Sequence, residues 1–249
     1  MAVVVFGVTY LVGAAIYAGV RALATPERAR SFKAVSPGML PPLGILFGLF
    51  VAFTAAQVWG DNDRAGNAVI REASALRAVT ILAASFPGEP EARLRALVRR
   101  HIQDAVAQEW PMMAKRTASL IVTPRALAEA LQTAIALTPA SPGQQAAQAQ
   151  IATQLEAALE ARRQRILISR SQVDPLKWLC VFVQAVCALF AIALVHREDR
   201  LAGAITMGIF ATGVAASVLL ITAFDRPFIG QLAVGAQPLL QVIPDLQAQ

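Results

Sequence analysis

Few residues in this chain have the types and spacing that catalysis needs. The sequence has two histidines, His101 and His196, and two cysteines, Cys180 and Cys187. The sequence pattern offers no His, Cys and carboxylate cluster with metal-ligand spacing, no glycine-rich loop between a strand and a helix, and no nucleophile elbow. We therefore predict a protein that is not an enzyme and that holds neither a metal ion nor another cofactor.

The individual histidine and cysteine positions support the same conclusion. His101 lies in an arginine-rich helical stretch, and we interpret it as a solvated surface residue on the polar side of that helix. Cys180 and Cys187 are separated by about 10 Å of helical rise, too far for a disulfide within one chain. These residues therefore indicate no redox or nucleophilic chemistry.

The distribution of charge indicates membrane segments. Hydrophobic residues make up 56% of the chain and charged residues only 15%, compared with about 25% charge in a typical soluble domain. Lys, Arg, Asp and Glu are missing from the stretches 2–20, 34–60, 178–195 and 201–224. Because a helix needs about 20 mostly apolar residues to cross the hydrocarbon core, each stretch predicts one membrane span. The first could also be a signal peptide, but no basic residue precedes it, which favours a retained span.

These spans divide the chain into four parts. Residues 1–60 hold spans one and two with a short basic loop, 61–175 a helical extramembrane domain, 176–224 spans three and four, and 225–249 a C-terminal tail. Apolar residues recur at helical spacing through 61–175, and no stretch alternates long enough for a strand. The predicted fold is an all-α integral membrane protein of the plasma (inner) membrane. An even number of spans predicts that both termini and the helical domain lie on the same side of the membrane. The basic residues that flank the spans do not decide whether that side is cytoplasmic or extracytoplasmic.

The net positive charge of the chain does not indicate a nucleic-acid partner. The net charge is +6 and the isoelectric point is about 10.1. However, the basic residues are dispersed among acidic ones and form no stripe with interleaved aromatic residues. Attraction to anionic lipid headgroups explains a net positive charge in a membrane protein more simply than nucleic-acid binding does. We therefore expect membrane lipid, and no nucleic acid, as a partner.

The second predicted span carries two different helical faces. One narrow stripe contains Leu43, Phe47, Phe50 and Thr54. A flank carries small residues that allow close helix approach, namely Gly44, Gly48, Ala52 and Ala55. Two interpretations remain open: the small residues pack within the chain while the phenylalanines face lipid, or they pack an oligomer whose aromatic stripe lines a central pore.

Short motifs along the chain resemble those of one family of membrane proteins. The run 42–50 (PLGILFGLF) is followed by Trp59 and Glu72, then by Glu109, Trp110 and Pro111, and after the last span by Asp225, Arg226, Pro227 and Phe228. The order and spacing of these motifs resemble the bestrophin-like domain family, which is itself similar to the bestrophins, pentameric anion channels.

This resemblance implies an oligomeric ion channel. It makes Leu43, Phe47, Phe50 and Thr54 candidate pore-lining residues, with inorganic anions as permeant ions and a homo-oligomer, by resemblance a pentamer, as the assembly. The calcium-binding acidic cluster of bestrophins has no counterpart here, so we expect no calcium site. From the residues alone, Asp225 and Arg226 form either a structural anchor at the membrane edge or part of a gate. The alternative function is a non-conducting membrane scaffold or sensor whose helical domain binds a partner.

Overall fold

The computed structural model describes residues 1–23, 37–121, 123–196, 199–230 and 232–243. All regular secondary structure in these ranges is helical, and four of the helices are long and apolar enough to cross a membrane. The predicted all-α class and the four predicted spans are thus confirmed. The basic loop between spans one and two, and the tail beyond residue 243, lie outside the described residues.

The helices are defined here in chain order. They are α1 (Ala2–Leu23), α2 (Leu40–Leu82), α3 (Glu89–Asp104), α4 (Trp110–Ala114), α5 (Arg125–Ile135), α6 (Pro142–Ile168), α7 (Pro175–Val195), α8 (Arg200–Phe224) and α9 (Gln237–Leu240). A π-helical segment, Ala105–Glu109, joins α3 to α4.

Local sequence explains where several of these helices begin. The Ser141 hydroxyl accepts a hydrogen bond from the Gln144 backbone at 3.2 Å, and Pro142 occupies the first turn of α6. The carboxylates of Asp174 and Asp199 accept backbone N–H groups in the same way at the starts of α7 and α8. Each side chain satisfies an amide that lacks a partner in the first turn of a helix.

Helix α2 is too long to lie wholly within a bilayer. Its 43 residues correspond to about 64 Å of helix, roughly twice the hydrocarbon thickness. Its charge-free part ends at Gly60, and Asp61, Asp63 and Arg64 follow directly. The membrane portion of α2 therefore comprises about residues 40–60, and the remainder is extramembrane.

One compact unit, which we call the membrane unit, comprises Met1–Trp59 and Gln172–Asp225. Within it α1 packs against α7 and α8, and α7 packs against α8. Its buried clusters are formed by aliphatic side chains and by small residues such as Ala185, Ala193 and Ala211. Small residues allow helix backbones to approach closely in lipid.

The second compact unit, the extramembrane unit, comprises Gly60–Ser171 and the chain from Arg226 onward. Its core contains fully buried side chains from α2, α3, α5 and α6, namely Leu76, Leu94, Ile102, Leu127, Ile151 and Leu155. Phe228, Leu239 and Ile243 are buried in the same core. The described residues between Arg226 and Ile243, which the sequence assigned to a C-terminal tail, thus contribute to this unit.

Candidate functional site

The structure places part of the expected pore stripe inside the membrane unit. Phe47 is only 7% exposed and packs with Val181 and Val214, and its ring centroid lies 5.5 Å from that of Phe210. Thr54 is also buried, and its hydroxyl donates to the Phe50 carbonyl oxygen at 2.8 Å. Side chains that pack against helices of their own chain are not available to a pore shared between chains. Phe47 and Thr54, which the sequence predicted to line a pore, are thus interior residues of this unit, while Leu43 and Phe50 are half-buried at its edge.

The exposed face of α2 carries a different apolar stripe. Ile45, Leu49 and Phe53 are 68%, 50% and 67% exposed. They are spaced four residues apart, so they lie above one another on one face of the helix. This stripe points away from the membrane unit of its own chain.

The small-residue flank lies beside this exposed stripe. Gly44, Gly48 and Ala52 are exposed, and a Cβ added at either glycine would meet nothing within 4 Å. Ala55 differs, because it is buried with Val58 in the interior of the unit. Among the described residues, the two glycines therefore have no close contact with another helix of their own chain.

The extramembrane unit contains a buried cluster of charged side chains around Glu72 on α2. Arg165 on α6 donates from Nε to Glu72 Oε2 at 2.8 Å and from Nη2 to Oε1 at 3.1 Å. His101 on α3 lies 2.9 Å from Glu72 Oε1 through its Nε2 atom. All three side chains are almost completely buried. A carboxylate on α2 thus holds one side chain from each of two other helices.

Glu109 extends the cluster at the end of the π-helical segment. Its Oε2 accepts from Arg165 Nη2 at 2.8 Å, and its Oε1 accepts from Arg162 Nε at 2.7 Å. The Arg165 guanidinium also lies over the Trp110 ring, 4.5 Å from its centroid. Two carboxylates, two guanidinium groups, an imidazole and an indole therefore form one connected group, which we call the charge cluster: Glu72, His101, Glu109, Trp110, Arg162 and Arg165.

The electrostatics of the charge cluster favour the ionised forms of its buried pair. Burial alone would raise the pKa of Glu72, but Arg165 and His101 outweigh burial and lower that pKa to about 2. Burial alone would lower the pKa of Arg165, but Glu72 and Glu109 outweigh it and raise that pKa. Opposite charges and hydrogen bonds stabilise the charged forms here more than desolvation destabilises them. The two groups form an ion pair with no free proton to exchange at neutral pH.

The cluster gathers several residues that the family motifs singled out. Glu72, Glu109 and Trp110 belong to it directly, and Phe228 packs edge-on against Trp110 with ring centroids 6.0 Å apart. Pro227 accepts a hydrogen bond from the Val234 backbone at 2.7 Å. Motifs that are distant in the sequence thus meet in one place.

The other motif residues have local structural roles. Pro111 lies in the first turn of α4, where a missing N–H costs little. Asp225 accepts a hydrogen bond from the Val173 backbone N–H at 2.6 Å, which links the end of α8 to the residues that precede α7. Arg226 is exposed at the start of the chain that follows.

Arg162 and Arg165 were not predicted from the sequence as site residues, and the prediction of a surface position for His101 is wrong. His101 is 2% exposed, because it falls in register with the buried positions Leu94, Leu97 and Val98 rather than on the polar face of α3. The two arginines likewise continue the buried series of α6, after Ile151, Leu155 and Ala158. The spacing of the apolar residues could have predicted this burial. A charged side chain that falls on the buried face of a helix needs a buried partner.

Groups of His, Cys, Asp and Glu that could hold a metal ion are absent from the part of the chain that the structure describes. In the charge cluster both carboxylates already accept hydrogen bonds from arginine, so their oxygens are engaged. The arrangement can hold three helices in fixed register, and it does not resemble a set of groups poised for proton transfer.

Comparison with known proteins identifies the fold and the family. A single-residue variant of a bacterial bestrophin homolog from Klebsiella pneumoniae superposes with a TM-score of 0.75 at 12% identity, covering 99% of each chain. Another structure of a bacterial bestrophin homolog from the same organism gives a TM-score of 0.71 at 12% identity, covering 100% of this chain and 99% of that one.

A further solved structure matches the chain, as does the model of one protein family. A variant described as a membrane protein gives a TM-score of 0.72 at 12% identity and covers 100% of this chain and 99% of its own. No curated protein matches the chain. The model of the Bestrophin-like domain matches residues 7–239. The chain therefore belongs to the Bestrophin-like domain family.

Proposed function

We propose that this chain forms a homo-oligomeric ion channel whose pore is lined by the exposed face of α2. The observation that carries the proposal is the stripe of Ile45, Leu49 and Phe53, which turns away from every other helix of the membrane unit that the structure describes. This stripe replaces Phe47 and Thr54 as the proposed lining. The half-buried Leu43 and Phe50 stay at its margin.

An outward apolar stripe could also face lipid, and the adjacent flank argues for a neighbouring chain instead. Gly44 and Gly48 expose backbone beside the stripe and have open space where a side chain would lie. In lipid, helices associate through close packing, and exposed glycines offer that packing at little entropic cost. A neighbouring copy seated on this flank would turn Ile45, Leu49 and Phe53 toward a shared axis.

An apolar lining is suited to gating. An ion that crosses an apolar ring loses its hydration without gaining coordinating oxygens, so a narrow ring of this kind resists wetting and conduction. The bestrophin resemblance adds a pentameric assembly and a preference for anions to the proposal. The apolar stripe carries no charge, so anion preference would come from basic residues at the pore mouths.

The test is conduction by the purified protein in planar bilayers. The triple variant Ile45→Ala/Leu49→Ala/Phe53→Ala should pass more current than the parent, because a wider ring wets more easily. The matched control is Ile205→Ala/Ile209→Ala, which shortens two exposed isoleucines one turn apart on α8 and should leave the current unchanged. A salt gradient gives the reversal potential and hence the preference for anions or cations.

Two further outcomes separate the alternatives. Phe47→Ala should weaken the membrane unit without raising the current, since Phe47 packs against Phe210 within the same chain. A rise in current with Phe47→Ala and none with the triple variant would instead indicate that the stripe of Phe47 and Thr54 lines the pore. An absence of current from all variants, in protein that retains its oligomeric state, would favour the non-conducting scaffold or sensor.

A further inference from the structure

The extramembrane unit contains a cavity beside the charge cluster. Its volume is about 510 Å³, and its wall is formed by α3, the π-helical segment, the start of α5 and α6. This volume falls within the range of about 300–1,000 Å³ that small-molecule sites occupy. The cavity can therefore hold a metabolite-sized ligand.

Arginines outnumber acidic residues on the cavity wall. Arg100, Arg125 and Arg162 line it, against Asp104 and Glu109. The Glu109 carboxylate is already shared between Arg162 and Arg165, so its charge is balanced within the protein. In the described part of the chain Arg100 and Arg125 form no ion pair, which leaves two guanidinium groups available to a ligand.

Two backbone features also shape this wall, and the first of them adds to its positive character. Helix α5 begins at the cavity, with Pro124 at its N-cap position and no side-chain hydrogen bond to its first turn. The first backbone N–H groups of α5 therefore have no side-chain acceptor, and the positive end of the helix dipole lies at the cavity. The π-helical segment Ala105–Glu109 brings Gln108 and Glu109 to the same wall. Such segments are rare within helices and occur frequently at functional sites.

We propose that this cavity is a binding site for a small multivalent anion, an organic phosphate or a polycarboxylate. The planar guanidinium groups of Arg100 and Arg125 would donate paired hydrogen bonds to phosphate or carboxylate oxygens, which suits arginine better than any other side chain. Because Arg162 and Glu109 balance each other, Arg100 and Arg125 outnumber Asp104 on the wall, which disfavours a cation. Gln108 and Thr123 line the cavity as further hydrogen-bonding groups. The proposal does not depend on whether the protein conducts ions.

The experiment is isothermal titration of the purified full-length protein with pyrophosphate and, separately, with citrate, at constant ionic strength. Saturable binding of one probe is expected, and the probe that binds distinguishes a phosphate site from a carboxylate site. The variant Arg100→Ala/Arg125→Ala should raise the Kd by about tenfold or more, because each lost charge-assisted hydrogen bond contributes substantially to affinity.

The matched control is Arg95→Ala/Arg163→Ala, which removes the same charge from α3 and α6 at exposed positions outside the cavity. This control should bind as the parent does. Equal weakening in both double variants would overturn the proposal, because it would reveal non-specific charge attraction. The absence of saturable binding of either probe at millimolar concentration would overturn it as well. Arg100 and Arg125 are exposed and outside the charge cluster, so both variants should keep the helix content and Tm of the parent.

Discussion

The membrane unit and the extramembrane unit are stabilised by different interactions. In the membrane unit, buried contacts are made by aliphatic, aromatic and small side chains, and a side-chain hydrogen bond between helices joins Tyr10 to Thr212 at 2.7 Å. In the extramembrane unit, a core of aliphatic residues surrounds Glu72 and Arg165, whose side chains are fully buried and fully charged. Buried charged side chains, which the core of a soluble domain normally excludes, thus lie in the unit outside the lipid.

The difference follows from the solvent of each unit. Lipid provides no hydrophobic drive between helices, so packing of small residues and shape complementarity must hold the spans together. Water does provide that drive for the extramembrane unit, which can therefore accommodate the desolvation of an ion pair. Because the Glu72 carboxylate accepts hydrogen bonds only from partners at fixed distances and angles, the pair specifies how the extramembrane part of α2 meets α3 and α6. Loss of a single group should therefore matter far more in the charge cluster than in the membrane unit.

The largest expected effect is that of Arg165→Met. This variant leaves the Glu72 carboxylate buried without its main partner, and breaking a buried pair in this way costs about 3–5 kcal/mol. We expect a correspondingly large fall in the free energy of unfolding of the extramembrane unit, measured by denaturant titration of the detergent-solubilised protein. Arg163→Met is the control, since Arg163 is exposed and, in the described part of the chain, its ion pair is with the exposed Glu160. It should change stability little.

A second variant keeps this test informative if Arg165→Met does not fold. Arg165→Lys retains the charge, but a single ammonium group cannot reproduce the paired hydrogen bonds to Glu72 and the bond to Glu109. It should lie between the parent and Arg165→Met in stability. Parent-like stability of both Arg165 variants would contradict the idea that the charge cluster holds the unit in register.

The next effect is a dependence of stability on acid. Because the folded pKa of Glu72 is lowered from 4.5 to about 2, the unfolded chain binds the proton more readily than the folded one between these values. The stabilisation is therefore fully present above about pH 5 and is lost as the pH falls toward 2. It amounts to about 3 kcal/mol, since one pKa unit corresponds to about 1.4 kcal/mol.

The acid effect can be assigned to this residue by substitution. In Glu72→Gln the free energy of unfolding should be lower at neutral pH and should vary less between pH 5 and 2 than in the parent. Glu91→Gln is the control, because Glu91 pairs with Arg95 at the protein surface. A parent-like acid slope in Glu72→Gln would assign the dependence to other groups.

The two units also differ in how far the sequence predicted them. Charge-free stretches identify spans because lipid excludes charge along a continuous segment, and all four spans were found in this way. Which face of α2 meets its own bundle was not predictable from one stripe of phenylalanines, since Phe47 and Phe53 are equally apolar and only tertiary packing separates them. His101 and Arg165 were missed because each was judged by its residue type, when its register among buried neighbours indicated burial.

A third prediction concerns association between copies of the membrane unit. Gly48→Leu should shift the protein from oligomer to smaller species, because leucine would hold neighbouring helices apart. The fold of the single chain should tolerate it, as a Cβ at Gly48 meets nothing within 4 Å. Native gels and light scattering measure the oligomeric state, and Gly7→Leu on α1 provides a control at another glycine with open space. An unchanged oligomer would exclude this flank as a packing surface.

The smallest expected effect is that of Tyr10→Phe in the membrane unit. Thr212 has one hydroxyl proton and donates it to the Gly208 carbonyl oxygen at 2.7 Å, so Tyr10 must be the donor in the bond between their hydroxyl groups. Removing that donor leaves Thr212 with its own backbone bond intact, and such interhelical bonds contribute only about 0.6 kcal/mol in lipid. The variant should therefore lower the free energy of unfolding far less than Arg165→Met does, in denaturant titrations under the same conditions. A loss as large as that of Arg165→Met would mean that polar contacts hold the spans together after all, and the contrast between the two units would fail.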